Sequence, residues 1–235
     1  MSATLALSAA EAERLAERFE RKTAEHVLEW AADRFGDKAV LTCSWQKQSS
    51  VLVHMISQIA PGMRVVELDT GVLFPETYET REKMIARYRI NFERLVPELT
   101  LEEQAARHGD RLWERDPDAC CGIRKVAPLR LALDGSDAWV TGIRREQSTT
   151  RQNARKIELD ERRGVVKVQP LADWTSRDVW RYIWRHGIPY NPLHDHGYPS
   201  IGCIPCTTPA EGGPADERAG RWRGTGKVEC GLHAN

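Results

Sequence analysis

A chain of 235 residues with 34 basic and 34 acidic side chains carries no net field that would draw it to a polyanion or an anionic membrane surface. With 41% hydrophobic and 29% charged residues, it has the make-up of a globular protein large enough to bury a core, as one large domain or two small ones. No run of about 18 apolar residues occurs, and no charged stretch leading into an apolar core opens the chain, so the expectation is a cytoplasmic protein with neither membrane span nor secretory signal.

Ser8 followed by Glu11 has the form of a capping box and opens a helical run over residues 9–20. Leu28, Ala31, Ala32 and Phe35 recur at helical spacing, and Gly36 stops that helix. Residues 1–36 therefore read as helices packed on the core. Residues 39–43 form a short apolar run, a buried strand with Cys43 as an inert core thiol. Residues 44–50 are polar and turn-like, and residues 51–60 are helical. A strand-to-helix loop is where α/β proteins hold phosphate, so Ser44, Ser49 and Ser50 are candidate nucleotide contacts, although the loop has no glycine.

Pro61-Gly62 turns the chain into a second strand, residues 64–68, which ends at Asp69-Thr70-Gly71. Leu68, Asp69, Thr70 and Gly71 thus stand at a strand's carboxyl end, the usual ligand position in open sheets. Pro75 begins a helix to about Tyr88, residues 91–96 form a third strand, and residues 101–107 a short helix. The alternation predicts a doubly wound, mostly parallel α/β sheet.

Asp116-Pro117 opens a further helix that carries Cys120, Cys121, Arg124 and Lys125 before Pro128. Successive helical residues diverge by about 100°, so this tandem pair suits two irons of a cluster better than one ion. Lys125 lies four residues past Cys121, on the same face. Residues 138–143 form a fourth strand. Gly142 lies near its end, and Arg144, Arg145 and Arg151 follow, a grouping suited to bidentate oxyanion binding. Residues 164–168 are strand-like, and residues 173–186 form a helix with Val179, Tyr182 and Ile183 inward. The loop-rich stretch beyond holds Cys203-Ile204-Pro205-Cys206. Residues 210–226 are polar and glycine-rich, which predicts a single α/β domain over 37–209 and a flexible segment over 210–235 carrying Cys230.

A Cys-x-x-Cys pair alone suits zinc, a thiol–disulfide couple or iron–sulfur. The tandem Cys120-Cys121 matches zinc ribbons poorly. Cys120, Cys121, Cys203 and Cys206 are therefore read as ligands of a [4Fe-4S] cluster, with zinc and disulfides as the remaining choices. Cys230 reads as a reagent. A thiol becomes reactive once its pKa is lowered, and His233, Lys125 and the Arg clusters are candidates to assist.

Taken together, Cys120-Cys121, Cys203-Ile204-Pro205-Cys206 and Glu229-Cys230-Gly231-Leu232-His233 resemble the assimilatory iron–sulfur adenylyl-sulfate (APS) reductases of the phosphoadenylyl-sulfate (PAPS) reductase family. Leu68-Asp69-Thr70-Gly71, Cys121-Gly122-Ile123-Arg124-Lys125-Val126, Val140-Thr141-Gly142-Ile143-Arg144-Arg145, Tyr198-Pro199-Ser200-Ile201-Gly202-Cys203 and Glu217-Arg218-Ala219-Gly220-Arg221-Trp222 extend the resemblance from about residue 38 to the end. It implies an adenine nucleotide α-hydrolase-like (PP-loop) fold and a two-step reduction of APS to sulfite and AMP, part of sulfate assimilation for cysteine biosynthesis. Cys230 would attack the sulfur of APS, AMP would leave, and thioredoxin would release sulfite from the S-sulfocysteine. Arg144, Arg145, Arg151, Lys125, Arg218 and Arg221 would hold the phosphosulfate, and residues 44–50 with Asp69-Thr70-Gly71 the nucleotide. Relatives form homo-oligomers.

One departure is Trp45-Gln46-Lys47-Gln48, where the family carries small and acidic residues. Lys47 would there be placed to reach a 3′-phosphate and admit PAPS. A PAPS or dual reductase is accordingly the nearest alternative. An iron–sulfur tRNA thiolase would need a Ser-Gly-Gly-like loop at 44–50, and a zinc nucleic-acid module is disfavoured by the zero net charge.

Overall fold

A computed structural model describes residues 7–210 and 217–233. Its strands are β1 (Ala39–Cys43), β2 (Arg64–Leu68), β3 (Asn91–Leu95), β4 (Ala138–Val140), β5 (Ile157–Asp160) and β6 (Val165–Val168). They form one sheet in the order β3-β2-β1-β4-β6-β5. Every neighbouring pair is parallel except β5 with β6. Strands β1, β2 and β4 are buried on both faces, as their near-continuous Val, Leu and Ala content requires. The chain winds outward from β1 to β2 and β3, then returns to the other side of β1 with β4. The diverging connections leave a crevice at the carboxyl ends of β1 and β4.

Helices α1 (Ala9–Phe19) and α2 (Ala24–Phe35) come first, the former capped by Ser8 as expected and the latter by Thr23, which was not singled out from the sequence. Then follow α3 (Lys47–Ile59), α4 (Pro75–Arg87), α5 (Leu101–His108), α6 (Leu112–Arg115), α7 (Pro117–Cys121), α8 (Ala127–Leu133) and α9 (Ser176–His186). The larger core lies where Leu28, Val53, Ile56 and Ile183 meet one face of the sheet. The other face packs Val40, Val66 and Trp139 against Leu129 and Leu133 of α8. The N-terminal helices are tied on by ion pairs, Arg145 to Glu20 at 2.7 Å and Arg155 to Glu13 at 2.5 Å. Among the described residues no helix is long and apolar enough to cross a membrane.

Several boundaries differ from expectation: β4 ends at Val140 rather than Ile143, and α9 begins at Ser176 rather than Asp173. Helix α3 begins at Lys47 rather than Val51. The Ser49 hydroxyl turns back to accept the Ser44 N–H at 3.2 Å, and His194 Nε2 accepts the first helical N–H, that of Lys47, at 3.3 Å, so the polar residues join the first turn instead of forming a separate loop. The cysteine helix does not end before Pro128. It passes through a π-turn, Gly122–Val126, and continues as α8, with Pro128 in a first turn where no N–H is required. Strand β5 was not anticipated at all.

Candidate active site

The crevice is a cleft of about 150 Å³ lined by the ends of β1, β2 and β4, the first turn of α3, residues 199–202 and the C-terminal segment. Its floor depends on Gly142. A Cβ there would lie 3.1 Å from Gln48 Cβ, so any larger residue would press α3 back by a few tenths of an ångström. The loop from β1 to α3 is held by Trp45, which adopts φ 55 and is fully buried. Its indole N–H donates to Glu67 Oε1 at 2.8 Å. Gln46 Oε1 accepts the Ile201 N–H at 2.8 Å, fastening the far wall of the cleft to this loop. Ser44 and Ser49 line the cleft, whereas Ser50 lies wholly inside the helix packing.

At the end of β2, Leu68 and Thr70 line the cleft, but Asp69 does not. Its buried carboxylate accepts the Gly71 N–H at 2.8 Å, the Tyr78 hydroxyl at 2.9 Å and Arg94 Nε at 2.8 Å. Asp69 and Gly71 therefore shape the turn. Arg124 staples the cysteine helix to the same turn by donating to the Thr70 carbonyl at 2.5 Å and to Gln104 at 3.1 Å.

Cys120, Cys121, Cys203 and Cys206 all line one second, much smaller cavity, with Val72, Trp113, Pro117 and Pro205 as its apolar wall. The Cys203 segment reaches it by docking on the 70–73 turn, where Ile204 N–H donates to the Val72 carbonyl at 2.8 Å and Thr70 Oγ1 lies 3.3 Å from Cys203 Sγ. All six cysteines are free thiols. Among the described residues no three His, Cys, Asp or Glu groups gather tightly enough for a single metal ion. The four sulfurs surround a space instead. Lys125 lines both cavities and is the side chain that links them.

The described C-terminal residues lie across the cleft. Thr208 N–H donates to the Gly220 carbonyl and Trp222 N–H to the Cys206 carbonyl, so residues 217–222 run beside the Cys206 loop. Beyond them each residue of 229–233 has its own seat. Glu229 meets Arg151, Cys230 packs with Cys121 and Trp222, and the Gly231 carbonyl accepts from Arg163 at 3.3 Å. Leu232 packs on the apolar cluster around Trp139, and the His233 ring stacks on the Trp139 indole at 5.0 Å and 10°. Residues 211–216 and 234–235 of the expected flexible segment lie outside the described ones.

Burial opposes ionisation of the Cys230 thiol. The charge of Lys125, the Leu232 N–H, Arg218 and Arg221 outweigh that effect and hold the thiol below the ordinary cysteine range. For His233 burial and the surrounding cations act together, keeping its ring neutral well below the usual histidine range. Its stacking makes it an anchor for the segment, and the geometry shows no proton-transfer contact from it to Cys230.

The arginines expected at one oxyanion site separate. Arg151, Arg218 and Arg221 line the cleft. Arg144 is fully buried and turned away, paired with Glu217 at 2.5 Å and Glu146 at 3.2 Å. Arg145 faces outward to Glu20. Adjacent residues leaving an extended strand point in opposite directions, so the pair cannot share one anion. Lys47 likewise departs from the expected role. Its ammonium donates to Glu217 at 3.1 Å and to Ser176 at 3.0 Å, inside the protein.

Glu217 and Glu229 stood in motifs read from the sequence, but their ion pairs, like Gln147 and the Trp139 seat, were not foreseen. The reason for Gly202, which the sequence showed only as part of a motif, is now apparent, because a side chain there would collide with the Arg221 guanidinium. Arg221 is 8% exposed, and its Nε has no partner among the described residues. Gly202→Ala should push this flexible group out of place while sparing the backbone. Binding of an anionic ligand should weaken by roughly tenfold, for one charge-assisted bond lost, with little change in melting temperature. An unchanged dissociation constant by calorimetry would remove Arg221 from the anion site.

Residues 38–209 match the family model described as the phosphoadenosine phosphosulfate reductase domain. The adenosine 5′-phosphosulfate reductase of Geobacillus thermodenitrificans is 52% identical over 215 residues, covering 91% of either chain. Adenosine 5′-phosphosulfate reductase 1 of Bacillus subtilis is 51% identical over 213 residues, covering 90% of this chain and 91% of that one. Among solved structures, the phosphate complex of the PAPS reductase from Candida auris superposes with a TM-score of 0.77 at 32% identity, covering 86% of this chain and 98% of that one. The FMN adenylyltransferase of Candida glabrata, at 15% identity and TM-score 0.57 over 94% of this chain and 76% of that one, shares the fold. A cleft at a parallel-sheet switch point, beside a four-thiol cavity and under a cysteine-bearing C-terminal segment, agrees with these matches: the chain belongs to the phosphoadenosine phosphosulfate reductase family, whose members are oxidoreductases acting on sulfur.

Proposed function

We propose that the protein reduces APS to sulfite and AMP, with Cys230 as nucleophile and thioredoxin as reductant. The observation that carries this reading is the position of the Cys230 thiol in the wall of the nucleotide cleft, with its ionisation favoured by Lys125, Arg218 and Arg221. The Cys230 thiolate attacks the sulfur of the sulfuryl group, the S–O bond to AMP breaks, and AMP departs with that electron pair. An S-sulfocysteine remains. A thioredoxin thiolate then attacks Cys230 Sγ, and sulfite leaves with the pair of the S–S bond. Cys230 and thioredoxin are then linked by a mixed disulfide. The second thioredoxin thiol resolves it, so the dithiol supplies both electrons. AMP is a good leaving group, and the protein's work is to position the anion and neutralise its charge, which Lys125, Arg221 and Arg218 are placed to do.

The four-thiol cavity fits a [4Fe-4S] cluster. Four cysteine sulfurs face one space with apolar walls, and Arg124 and Lys125 border it as counter-charges. Cys120, Cys121, Cys203 and Cys206 would hold the cluster, which supplies a compact anionic centre beside Lys125 when bound.

The test is the intact mass of anaerobically purified protein, with its iron and acid-labile sulfide measured, after mixing with APS and no reductant. A gain of one SO₃ group, mapped to Cys230 and removed by reduced thioredoxin, is the expected result. An adduct with PAPS and none with APS would change the substrate. No adduct with either, on protein that retains iron and sulfide, would refute the reaction.

A further inference from the structure

Glu229 neither attacks nor carries charge to the sulfuryl group in the reaction above, yet both oxygens of its carboxylate are engaged by the folded body. Its carboxylate accepts from Arg151 Nε at 2.8 Å, Arg151 Nη2 at 2.9 Å and Thr150 Oγ1 at 3.1 Å, and Arg218 Nη2 lies 3.2 Å away. The remaining arm of Arg151, Nη1, donates to Gln147 at 2.7 Å. Every edge of the Arg151 fork is thus filled by the protein itself. The two side chains are only 10% and 16% exposed, so the pair is poorly screened.

The backbone on either side is gripped as well. Arg218 Nη2 donates to the Val228 carbonyl at 3.2 Å and Arg163 Nη2 to the Gly231 carbonyl at 3.3 Å. A carboxylate that merely filled a vacant anion site would not need those flanking contacts. We infer that Glu229 is a positioning residue: it latches the segment to Arg151 and Arg218 so that the Cys230 sulfur faces the cleft, and Arg151 serves this latch instead of the substrate. The inference rests on the reading of Cys230 as nucleophile.

The experiment measures how fast iodoacetamide alkylates Cys230, by peptide mapping, in anaerobically purified full-length protein without nucleotide. Glu229→Gln should raise that rate about tenfold or more, the loss expected for charge-assisted bonds. In turnover, Glu229→Gln should lower kcat by a similar factor while KM stays within about twofold, and Glu229→Asp should recover part of the loss. Arg151→Gln should raise alkylation equally, with no further rise in the double variant. If Glu229→Gln fails to accumulate as folded, iron-containing protein, the Arg151→Gln comparison carries the test. An unchanged alkylation rate, an additive double variant, or a lowered KM in Glu229→Gln would overturn the latch, the last because it would mean that Glu229 competes with substrate for Arg151. Alkylation involves no nucleotide, so a wild-type protein that forms no SO₃ adduct refutes the proposed function without altering this comparison.

Discussion

Cys230→Ser should abolish sulfite release, by at least about a thousandfold, while APS binding stays within a few-fold of wild type. The reasoning starts from the seat of the thiol. Lys125, Arg218 and Arg221 favour the thiolate, whereas a serine hydroxyl in the same place remains protonated and is a far weaker nucleophile toward sulfur. The cations themselves are untouched by the change. The neighbours of Cys230 are Cys121 and Trp222, and serine is close to isosteric, so the segment should stay seated. Single-turnover assays for sulfite and calorimetric titration with APS measure the two halves separately. Sulfite release within tenfold of wild type would exclude Cys230 as nucleophile. Loss of APS binding would mean that its thiol shapes the site.

Glu217→Gln should be the most destabilising single change among the buried polar groups of the site, costing about 3–5 kcal/mol. Glu217 is 8% exposed and stands between two buried cations, Lys47 at 3.1 Å and Arg144 at 2.5 Å. A glutamine keeps the shape but strips buried Lys47 of its ion-pair partner and leaves Arg144 only the more exposed Glu146, where water cannot make up the loss. For a chain of this size that loss corresponds to a fall in melting temperature of about 10 °C. Lys47→Met in the same chain should recover part of it, because one of the stranded charges is then gone. Burial alone would raise the Glu217 carboxyl. Arg144 and Lys47 outweigh it and hold the group below the usual carboxylate range. Its contribution is therefore complete at neutral pH and disappears only as the pH falls through that depressed value. A melting temperature within 2 °C of wild type by calorimetry, on the order of one weak interaction, would exclude this account.

The strands of the parallel sheet were legible because their signal is local. Residues 39–43 and 64–68 are apolar runs bounded by turn residues, and both strands occupy those positions. The helix ending at His186 announced itself through the spacing of Val179, Tyr182 and Ile183, while its start at Ser176, capped by Thr175, lies three residues later than expected. Strand β5 escaped because Glu158 and Asp160 interrupt an edge strand of only four residues, whose formation depends on pairing with β6. The cysteine set was readable as a group because sulfur has few ordinary uses in such a chain. The fates of the charged residues were not. Lys47 meets Glu217 across 170 positions and Arg151 meets Glu229 across 78, and no spacing rule connects residues so far apart. Arg144 and Arg145 looked equivalent as neighbours, while the backbone direction at the end of β4 sends one inward and the other to α1.

Residues 229–233 each fill a separate seat on the folded body, and that modularity has a practical consequence. A protein cut after Val228 should retain those seats on its surface, and a synthetic pentapeptide, Glu-Cys-Gly-Leu-His, carries every group that fills them. In the intact chain the tether presents those groups at an effective concentration on the order of millimolar. Complementation in trans should therefore appear only when the free peptide is supplied at about that level, and a peptide altered at one position would then report on one seat at a time.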